Sequence, residues 1–438
     1  MCLYPHGFIG CGMAGISEQK RCEIDGTVFN PFSPDFVREP HATWLKLVSE
    51  YPIAWHRELN MWVVSSHELC GDLLKSHDFS PNYRLWEHAL PEKLEAEKLD
   101  FDRMTDHSLF MVTQKEHLRL RKLTMPAFSK PVMSQIDATI RDLIVERFDE
   151  IGSPEAFDVY TEIASKLPVR SIARMIGVSA EHEAMFQKFA NCVVLAARIN
   201  LTPEQRETAM REGQEGIDYF REQIALRRAL AHPGEDFLGA LIAAEEDNDS
   251  LSDWDIIALI SSLITAGSDT AIDLHTYLIN GLLSHPDQYS LLKQQPELME
   301  NAIVELLRHG SMGKFPFFRF AVDDTEFGGQ QIRKGQSVLV NLSAAWHDPA
   351  KWENPQTLDI TRDLNGNLVF GAGPHFCIGT YLVRAQARIM LEEFMRRFPD
   401  AELSGQDGDL EYDYAHHNAR RITRLRVKTN LEPVRKVA

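Results

Sequence analysis

The chain has 438 residues, of which 44% are apolar and 25% charged, and its formal net charge is −18. This composition indicates a globular protein with a sizeable core, and the negative charge argues against nucleic acid as the main partner, because a nucleic-acid binder needs a cationic face. The six cysteines are scattered without a CxxC pair, and no stretch approaches the roughly 20 apolar residues of a membrane span. We therefore expect a soluble cytoplasmic protein with reduced thiols.

No repeat, low-complexity tract or charged linker divides the sequence, so residues 26–438 are expected to form one large domain. Residues 1–25 are expected to be a poorly ordered leader. The leader has no positive charge before its short apolar run, which argues against a secretory signal.

The first part of the chain combines short strand patterns with helices. Residues 30–50 predict a proline-bounded segment followed by a short amphipathic helix, and residues 53–66 predict a β-hairpin that turns at residues 58–60. From about residue 130 to residue 245, apolar residues recur at three- and four-residue spacing, which indicates helices.

Residues 251–285 predict one long helix, and about 30 helical residues would span roughly 45 Å. Apolar residues occupy nearly every side of it, so we expect it in the middle of a large helical body. Residues 296–310 predict another helix, which is followed by a small sheet and, after residue 379, by a last long helix. The chain is therefore expected to be mainly α with a minor β region.

One cysteine, Cys377, lies in the glycine-rich stretch FGAGPHFCIG at residues 370–379. A lone cysteine is most often an inert buried thiol, but a position at the start of a helix favours a thiolate, which is either a nucleophile or an iron ligand. His375 is only two residues away, a spacing that need not direct both side chains at one reacting atom. A zinc site would need more ligands than the sequence supplies. One axial thiolate, with a porphyrin supplying the other ligands, fits a solitary cysteine better.

Small and polar residues interrupt the long helix in the stretch ITAGSDTA. Ala266 and Gly267 would allow a close helix crossing, although glycine in a helix costs about 1 kcal/mol relative to alanine. Asp269 and Thr270 are an acid and an alcohol in an apolar helix, so they must find partners or water.

Two pairs with helical spacing complete the set of candidate residues. Glu305 and Arg308 form an i,i+3 pair, which in isolation is usually a solvated ion pair. His117 and Arg121 are four residues apart, which in isolation indicates a solvated basic face.

In this order along the chain, these stretches resemble the cytochromes P-450. The loop pattern FGxGxHxCxG is similar to the haem-binding loop of that family, and the residues that fill it are Phe370, Gly371, Gly373, His375, Cys377 and Gly379. The resemblance extends from residue 30 to residue 426 and is to the soluble bacterial branch. It implies the P-450 fold, with haem b between the long central helix and the cysteine loop and with Cys377 as the axial ligand.

The resemblance also implies roles for the other motifs. Ala266 and Gly267 would make room for dioxygen and substrate, and Asp269 and Thr270 would relay protons. Glu305 and Arg308 would hold the core around the haem. The side chains that would bind the haem propionates are His117, Arg121, Arg319 and His375.

Two positions depart from the family pattern. Ala271 stands where a second hydroxyl residue is frequent, and Thr357 stands where the family has a basic residue that supports the Glu–Arg pair. We expect Arg362 or a backbone group to replace that basic residue.

The activity implied by the resemblance is that of a haem-thiolate monooxygenase, which would activate O2 with two externally supplied electrons. The electron donors would be a ferredoxin and its reductase. Arg384, Arg388 and Lys122 are the candidate docking contacts, unless they are plain surface charges. A monomer without nucleic-acid or membrane partners is expected.

The substrate pocket is expected to include Leu85, Leu263, Phe315 and Phe318, within a lining drawn from residues 85–110, 193–199, 314–320 and 415–417. A secondary metabolite such as a macrolide, another polyketide or a peptide is favoured over a steroid or terpene. The reaction would be hydroxylation, epoxidation or oxidative coupling. Two alternatives are a peroxide-driven haem-thiolate enzyme and a non-catalytic haem-binding or sensor protein.

Overall fold

The computed structural model describes residues 22–89, 91–196, 201–246, 249–313, 317–405, 409–416 and 418–430. Helices dominate these residues, as the sequence predicts. The α-helices are α1 (Pro34–Arg38), α2 (His41–Glu50), α3 (His67–Lys75), α4 (Asp100–Asp106), α5 (Gln114–Thr124), α6 (Lys130–Ile151), α7 (Leu167–Ile176), α8 (Glu183–Ala196), α9 (Pro203–Glu212), α10 (Gln214–Arg228), α11 (Phe237–Ala243), α12 (Asp253–Leu283), α13 (Pro286–Gln294), α14 (Met299–Gly310), α15 (Leu342–Ala345) and α16 (Thr380–Arg397).

The strands are short, and six of the fifteen in the described residues form one mixed sheet. They are β1 (Glu23–Ile24), β2 (Ile53–His56), β3 (Met61–Val64), β4 (Phe79–Ser80), β5 (Ala156–Asp158), β6 (Glu245–Glu246), β7 (Asp249–Ser250), β8 (Phe318–Ala321), β9 (Thr325–Phe327), β10 (Gln330–Ile332), β11 (Ser337–Val340), β12 (Glu402–Leu403), β13 (Glu411–Tyr412), β14 (Ile422–Arg424) and β15 (Arg426–Lys428). Within the described ranges the largest sheet has the order β1-β2-β3-β11-β8-β4, and β8 runs antiparallel to β11.

The hairpin predicted at residues 53–66 is confirmed as the antiparallel pair β2–β3. Alternation along β3 decides what each face of the sheet covers: Trp62 and Val64 pack with α3, whereas Met61 and Val63 pack with α1 and α2. Strand β1 pairs with β2, so Glu23 and Ile24, which the sequence analysis assigns to the leader, belong to this sheet. Residues 1–21 of the leader lie outside the described residues.

The long helix predicted at residues 251–285 is confirmed as α12, which has 31 residues. A capping box starts it, because the Ser252 hydroxyl accepts the Asp255 N–H and the Asp255 carboxylate accepts the Ser252 N–H. The helix packs against α7, α8, α14 and α16. The helix is buried along most of its length, as expected, and Ala266 and Thr270 are exposed together on one face.

By length and composition alone, α12 meets the criteria for a membrane span, which the sequence analysis did not foresee. A core helix passes the same test, and many of its large side chains, such as Ile256, Leu274 and Leu278, are fully buried against the rest of the chain. Packing within the protein therefore accounts for its apolar composition.

A fully buried ion-pair network ties α14 to the segment after α15. Glu305 and Arg308 are both 0% exposed, and the Arg308 guanidinium also donates to the carbonyls of Trp346 and Pro355 at 2.8 Å. Arg362 Nε donates to Glu305 Oε1 at 3.1 Å, so Arg362 takes the place of the basic residue missing at Thr357, as predicted. The carbonyl of Thr357 itself accepts from both arginines.

We expect Glu305→Gln to destabilise the fold by about 3 kcal/mol, because it leaves two buried or nearly buried guanidinium groups without their carboxylate. The matched control is Asp218→Asn, which breaks an exposed i,i+3 pair with Arg221 and should change stability by less than about 0.5 kcal/mol. Urea unfolding of both variants measures the difference. Equal losses in the two variants would contradict the structural role of the network.

Candidate functional site

The loop at residues 370–379 closes on itself before α16. The Cys377 N–H donates to the Phe370 carbonyl at 2.9 Å, and the Phe376 N–H donates to the Gly373 carbonyl at 3.0 Å. Gly373 has φ +69°, and a Cβ at this position would lie 2.4 Å from the Leu74 carbonyl oxygen of α3. The loop therefore depends on glycine here for both its backbone conformation and its close approach to α3.

The Cys377 side chain lies at the base of this loop, half-buried. Burial raises the pKa of the Cys377 thiol, against the smaller opposing effects of the Gly379 N–H and of Arg121. The Thr380 hydroxyl donates to the Cys377 carbonyl at 2.7 Å. A bound metal cation would favour the thiolate, because a metal deprotonates the thiol that coordinates it.

Four cationic or imidazole side chains meet beside the cysteine loop. The rings of His117 on α5 and His375 in the loop are 3.9 Å apart, and the Arg121 guanidinium donates to the Phe376 carbonyl at 2.8 Å. Arg319 on β8 is, with Arg121, one of the two charged side chains that act on both histidines. The structure thus brings together all four residues that the resemblance predicted as one group.

Electrostatics in this cluster are unfavourable without an anion. Burial and then the neighbouring Arg121 and Arg319 lower the pKa of His117 to about 4, and burial followed by His117 lowers the pKa of His375 to about 3. Burial also lowers the pKa of Arg319 to about 10. Among the described residues, neither Arg121 nor Arg319 pairs with a carboxylate, and His117 Nδ1 is buried without a hydrogen-bond partner. A group with two carboxylates, such as haem, fits this donor set.

The central helix presents its exposed face near the middle of its length. The Thr270 hydroxyl donates to the Ala266 carbonyl at 2.5 Å, so both residues share that face. Gly267 does not: a Cβ there would lie 3.2 Å from Ile172 Cδ1 of α7. The close helix crossing considered in the sequence analysis therefore explains Gly267, while Ala266 borders the open space.

Asp269 points away from Thr270. Its carboxylate accepts from Arg421 Nη1 at 3.0 Å, and Arg421 also binds Asp273, one turn further along α12. His416 Nε2 lies 3.8 Å from Asp269 Oδ2. Sequence reasoning missed Arg421 and Asp273, and it included His416 only within the pocket segment 415–417. The available signal for Asp273 was a second acid four residues after Asp269 in an apolar helix.

The predicted pocket residues are dispersed. Leu263 lies partly buried on α12, but Leu85 lies in a 3-10 turn, and its carbonyl approaches Gly335 in the turn before β11. Phe318 packs with the cluster around β1–β3, on the opposite side of β8 from Arg319. Phe315 lies outside the described residues, so no position is assigned to it.

The predicted docking arginines are largely neutralised. Arg388 pairs with Glu300 and Glu392 at 3.5 and 3.3 Å, and Arg384 lies 3.8 Å from Glu300. Three large side chains are exposed on α5, in the cysteine loop and on α16, namely Leu118, Phe376 and Tyr381.

Comparison with known proteins gives a consistent result. Residues 95–412 match the family model described as Cytochrome P-450. The chain is 30% identical to the epothilone C/D epoxidase of Sorangium cellulosum over 385 residues, which cover 86% of this chain and 90% of that protein. It is 29% identical to the polyketide biosynthesis cytochrome P-450 PksS of Bacillus subtilis, over 89% of this chain and 96% of that one. The epothilone B-bound structure of an epothilone cytochrome P-450 superposes with a TM-score of 0.81 at 28% identity, covering 92% of this chain and 100% of that one.

Two glycine variants test the loop geometry. Gly373→Ala should cost several kcal/mol, because its Cβ would meet the Leu74 carbonyl, whereas Gly371→Ala should cost about 1–2 kcal/mol, because its φ is +74° but nothing lies within 4 Å of the added Cβ. Urea unfolding measures both losses. A Gly373→Ala variant as stable as Gly371→Ala would show that the close approach to α3 is absent.

Proposed function

The chain belongs to the cytochrome P-450 family and is a monooxygenase of secondary metabolism, and from this premise we propose the roles of its residues and the class of its substrate. The observation that carries the proposal is the buried group His117, Arg121, Arg319 and His375 beside Cys377. Two guanidinium groups without carboxylate partners among the described residues match the two propionates of haem b. Cys377 would be the axial thiolate ligand.

Haem with a thiolate ligand supplies oxygen activation when bound. The protein contributes the surroundings. The N–H of Gly379 tempers the charge on the Cys377 sulfur, and the closed turn from Phe370 to Cys377 fixes the position of that sulfur. Ala266 leaves space on the open face of α12, and the Thr270 hydroxyl, bonded to the Ala266 carbonyl, is held where it can hold or pass a proton.

The overall reaction requires protons as well as electrons. Insertion of one oxygen atom into a C–H bond consumes O2, two electrons and two protons, and yields an alcohol and water. Bacterial members of this family take the electrons from external redox partners. We infer a ferredoxin with its reductase, docking through the exposed Leu118, Phe376 and Tyr381 rather than through the paired Arg384 and Arg388. Lys122, the third predicted contact, lies on the same helix as Leu118.

For the substrate, a macrolide or related polyketide is the best-supported class. Proteins similar to this chain include the epothilone C/D epoxidase, PksS, the monooxygenase PikC and the 6-deoxyerythronolide B hydroxylase. A second candidate class is steroidal, because the vitamin D(3) 25-hydroxylase of Pseudonocardia autotrophica is 28% identical over 387 residues. The proposed product is an alcohol or an epoxide, and the proposed form is a cytoplasmic monomer. The spin-state shift on binding of polyketide and steroid ligands distinguishes the two classes.

Loss of the ligand tests the cofactor assignment. Cys377→Ala should abolish the red-shifted Soret band of the reduced, CO-bound protein, because no other described cysteine lies in the loop. Cys192→Ala, a buried cysteine on α8, is the matched control and should keep the band. A wild-type protein without that band would refute the haem-thiolate assignment.

Loss of the hydroxyl tests the proton role. Thr270→Ala should keep the CO-bound spectrum but lower product formation by about 10²-fold and divert electrons to peroxide, because the positioned proton donor is gone. Thr265→Ala is the control, since Thr265 makes the same bond to the carbonyl four residues earlier, that of Ser261. The deciding measurement is the amount of product formed per electron pair, for which NADH consumption gives the number of electron pairs. Undiminished coupling in Thr270→Ala would refute the proton role of Thr270. A wild type that turns over with peroxide but not with O2 and electrons would refute it as well.

A further inference from the structure

One buried cation is shared by two carboxylates on the central helix. Arg421, just before β14, binds Asp273 through Nε and Nη2, each at 3.0 Å, and binds the Asp269 carboxylate through Nη1 at 3.0 Å. Its Nη2 also donates to the Asp269 backbone carbonyl at 2.8 Å. The side-chain exposures are 7% for Arg421, 3% for Asp273 and 17% for Asp269. Of the two acids, Asp269 is the more accessible.

The two carboxylates are not equivalent partners of Arg421. The Asp273 carboxylate accepts from Nε and Nη2, a bidentate pair along one edge of the guanidinium that sets its plane, while the Asp269 carboxylate accepts only from Nη1. One guanidinium neutralises only one carboxylate, so the second is in excess. Burial raises the pKa of Asp273 to about 6 despite the attraction of Arg421, and the charge of Asp269 adds to that rise. The like charges oppose each other in a largely buried place.

This arrangement lowers the free energy needed to separate the Asp269 carboxylate from Arg421. A buried cation that loses its only partner is strongly destabilising. Because Asp273 remains on Arg421, Asp269 can leave without leaving the Arg421 guanidinium unpaired. A second donor lies close, since the Ala419 N–H donates to His416 Nδ1 at 3.1 Å, which places the ring proton on Nε2, 3.8 Å from Asp269 Oδ2.

We propose that Asp273 is a positioning residue that keeps Arg421 neutralised, so that the Asp269 carboxylate is free to exchange between Arg421 and the Thr270 side of the helix. In the arrangement described above, Asp269 and Thr270 face different directions, and delivery of a proton by Asp269 requires that it leave Arg421. The proposal rests on the proposed monooxygenase function for its consequence, but not for its geometry.

The first test measures stability and does not require enzymatic activity. Asp269→Asn and Asp273→Asn are compared singly and together by urea unfolding, in a double-mutant cycle. Each single variant leaves Arg421 one carboxylate, and the double variant leaves none. We expect the double variant to lose clearly more stability than the sum of the two single losses. Additive losses would overturn the shared-cation account, as would a cycle in which Asp269→Asn has no effect in either background.

The second test measures coupling in Asp273→Asn and asks whether a second substitution, at Arg421, restores it. In Asp273→Asn, Asp269 is the only carboxylate left on Arg421 and stays there, so product per electron pair should fall several-fold and the solvent isotope effect on turnover should rise. The added change Arg421→Gln frees Asp269 and should restore coupling, whereas Arg421→Lys, which keeps the charge, should not. A merely structural pair predicts the opposite order, with the double variant worse than the single one.

The CO-bound spectrum of every variant distinguishes failure of the positioning role of Asp273 from failure of the proposed monooxygenase function. A red-shifted Soret band in Asp273→Asn with unchanged coupling overturns the positioning role alone. Absence of the band in the wild type overturns the proposed function, while the unfolding cycle still judges the shared cation.

Discussion

Buried positive charge that the described residues do not neutralise is the constraint on which this structure depends. Arg319 is nearly fully buried, Arg121 is partly buried, and both lie beside two histidines held neutral by burial and by those charges. The network of Glu305, Arg308 and Arg362 shows that this chain pairs buried arginines with carboxylates elsewhere. We therefore propose that the cluster by Cys377 binds anionic groups, because leaving such charges unpaired is costly.

The central helix α12 connects this site with the rest of the molecule. It is buried along most of its length, yet it carries an open face at Ala266 and Thr270 and an acidic pair on another side at Asp269 and Asp273. In the proposed function the first side would face haem and substrate, and the second side binds Arg421, just before β14. Thr270 and Asp269 are adjacent in the sequence, so one helix connects these two sides.

Local sequence patterns predicted the features that depend on local physics. The hairpin β2–β3 follows from its alternating residues, α12 from its length and capping, and the loop of Cys377 from its glycines. The Arg362 contact with Glu305 was also foreseen, because a missing basic residue at Thr357 demanded a replacement.

Features that depend on tertiary packing could not be predicted from the sequence. Arg421 is 148 residues from Asp273, so neither sequence neighbourhood indicates the pair. Phe318 lies on the opposite side of β8 from Arg319. The pairing of β8 with β11 determines which of these two side chains faces the cysteine loop. Burial, which no short motif reports, is also what raises the pKa of Cys377.

The central claim is that the buried cluster exists to bind the two carboxylates of haem. The most direct measurement is the affinity of the haem-free protein for haem and for its dimethyl ester, in which both propionates are neutral. The account predicts that esterification weakens binding by at least about tenfold, since hydrogen bonds to charged groups contribute about 1.5–3 kcal/mol each. Equal affinities for the two compounds would contradict it.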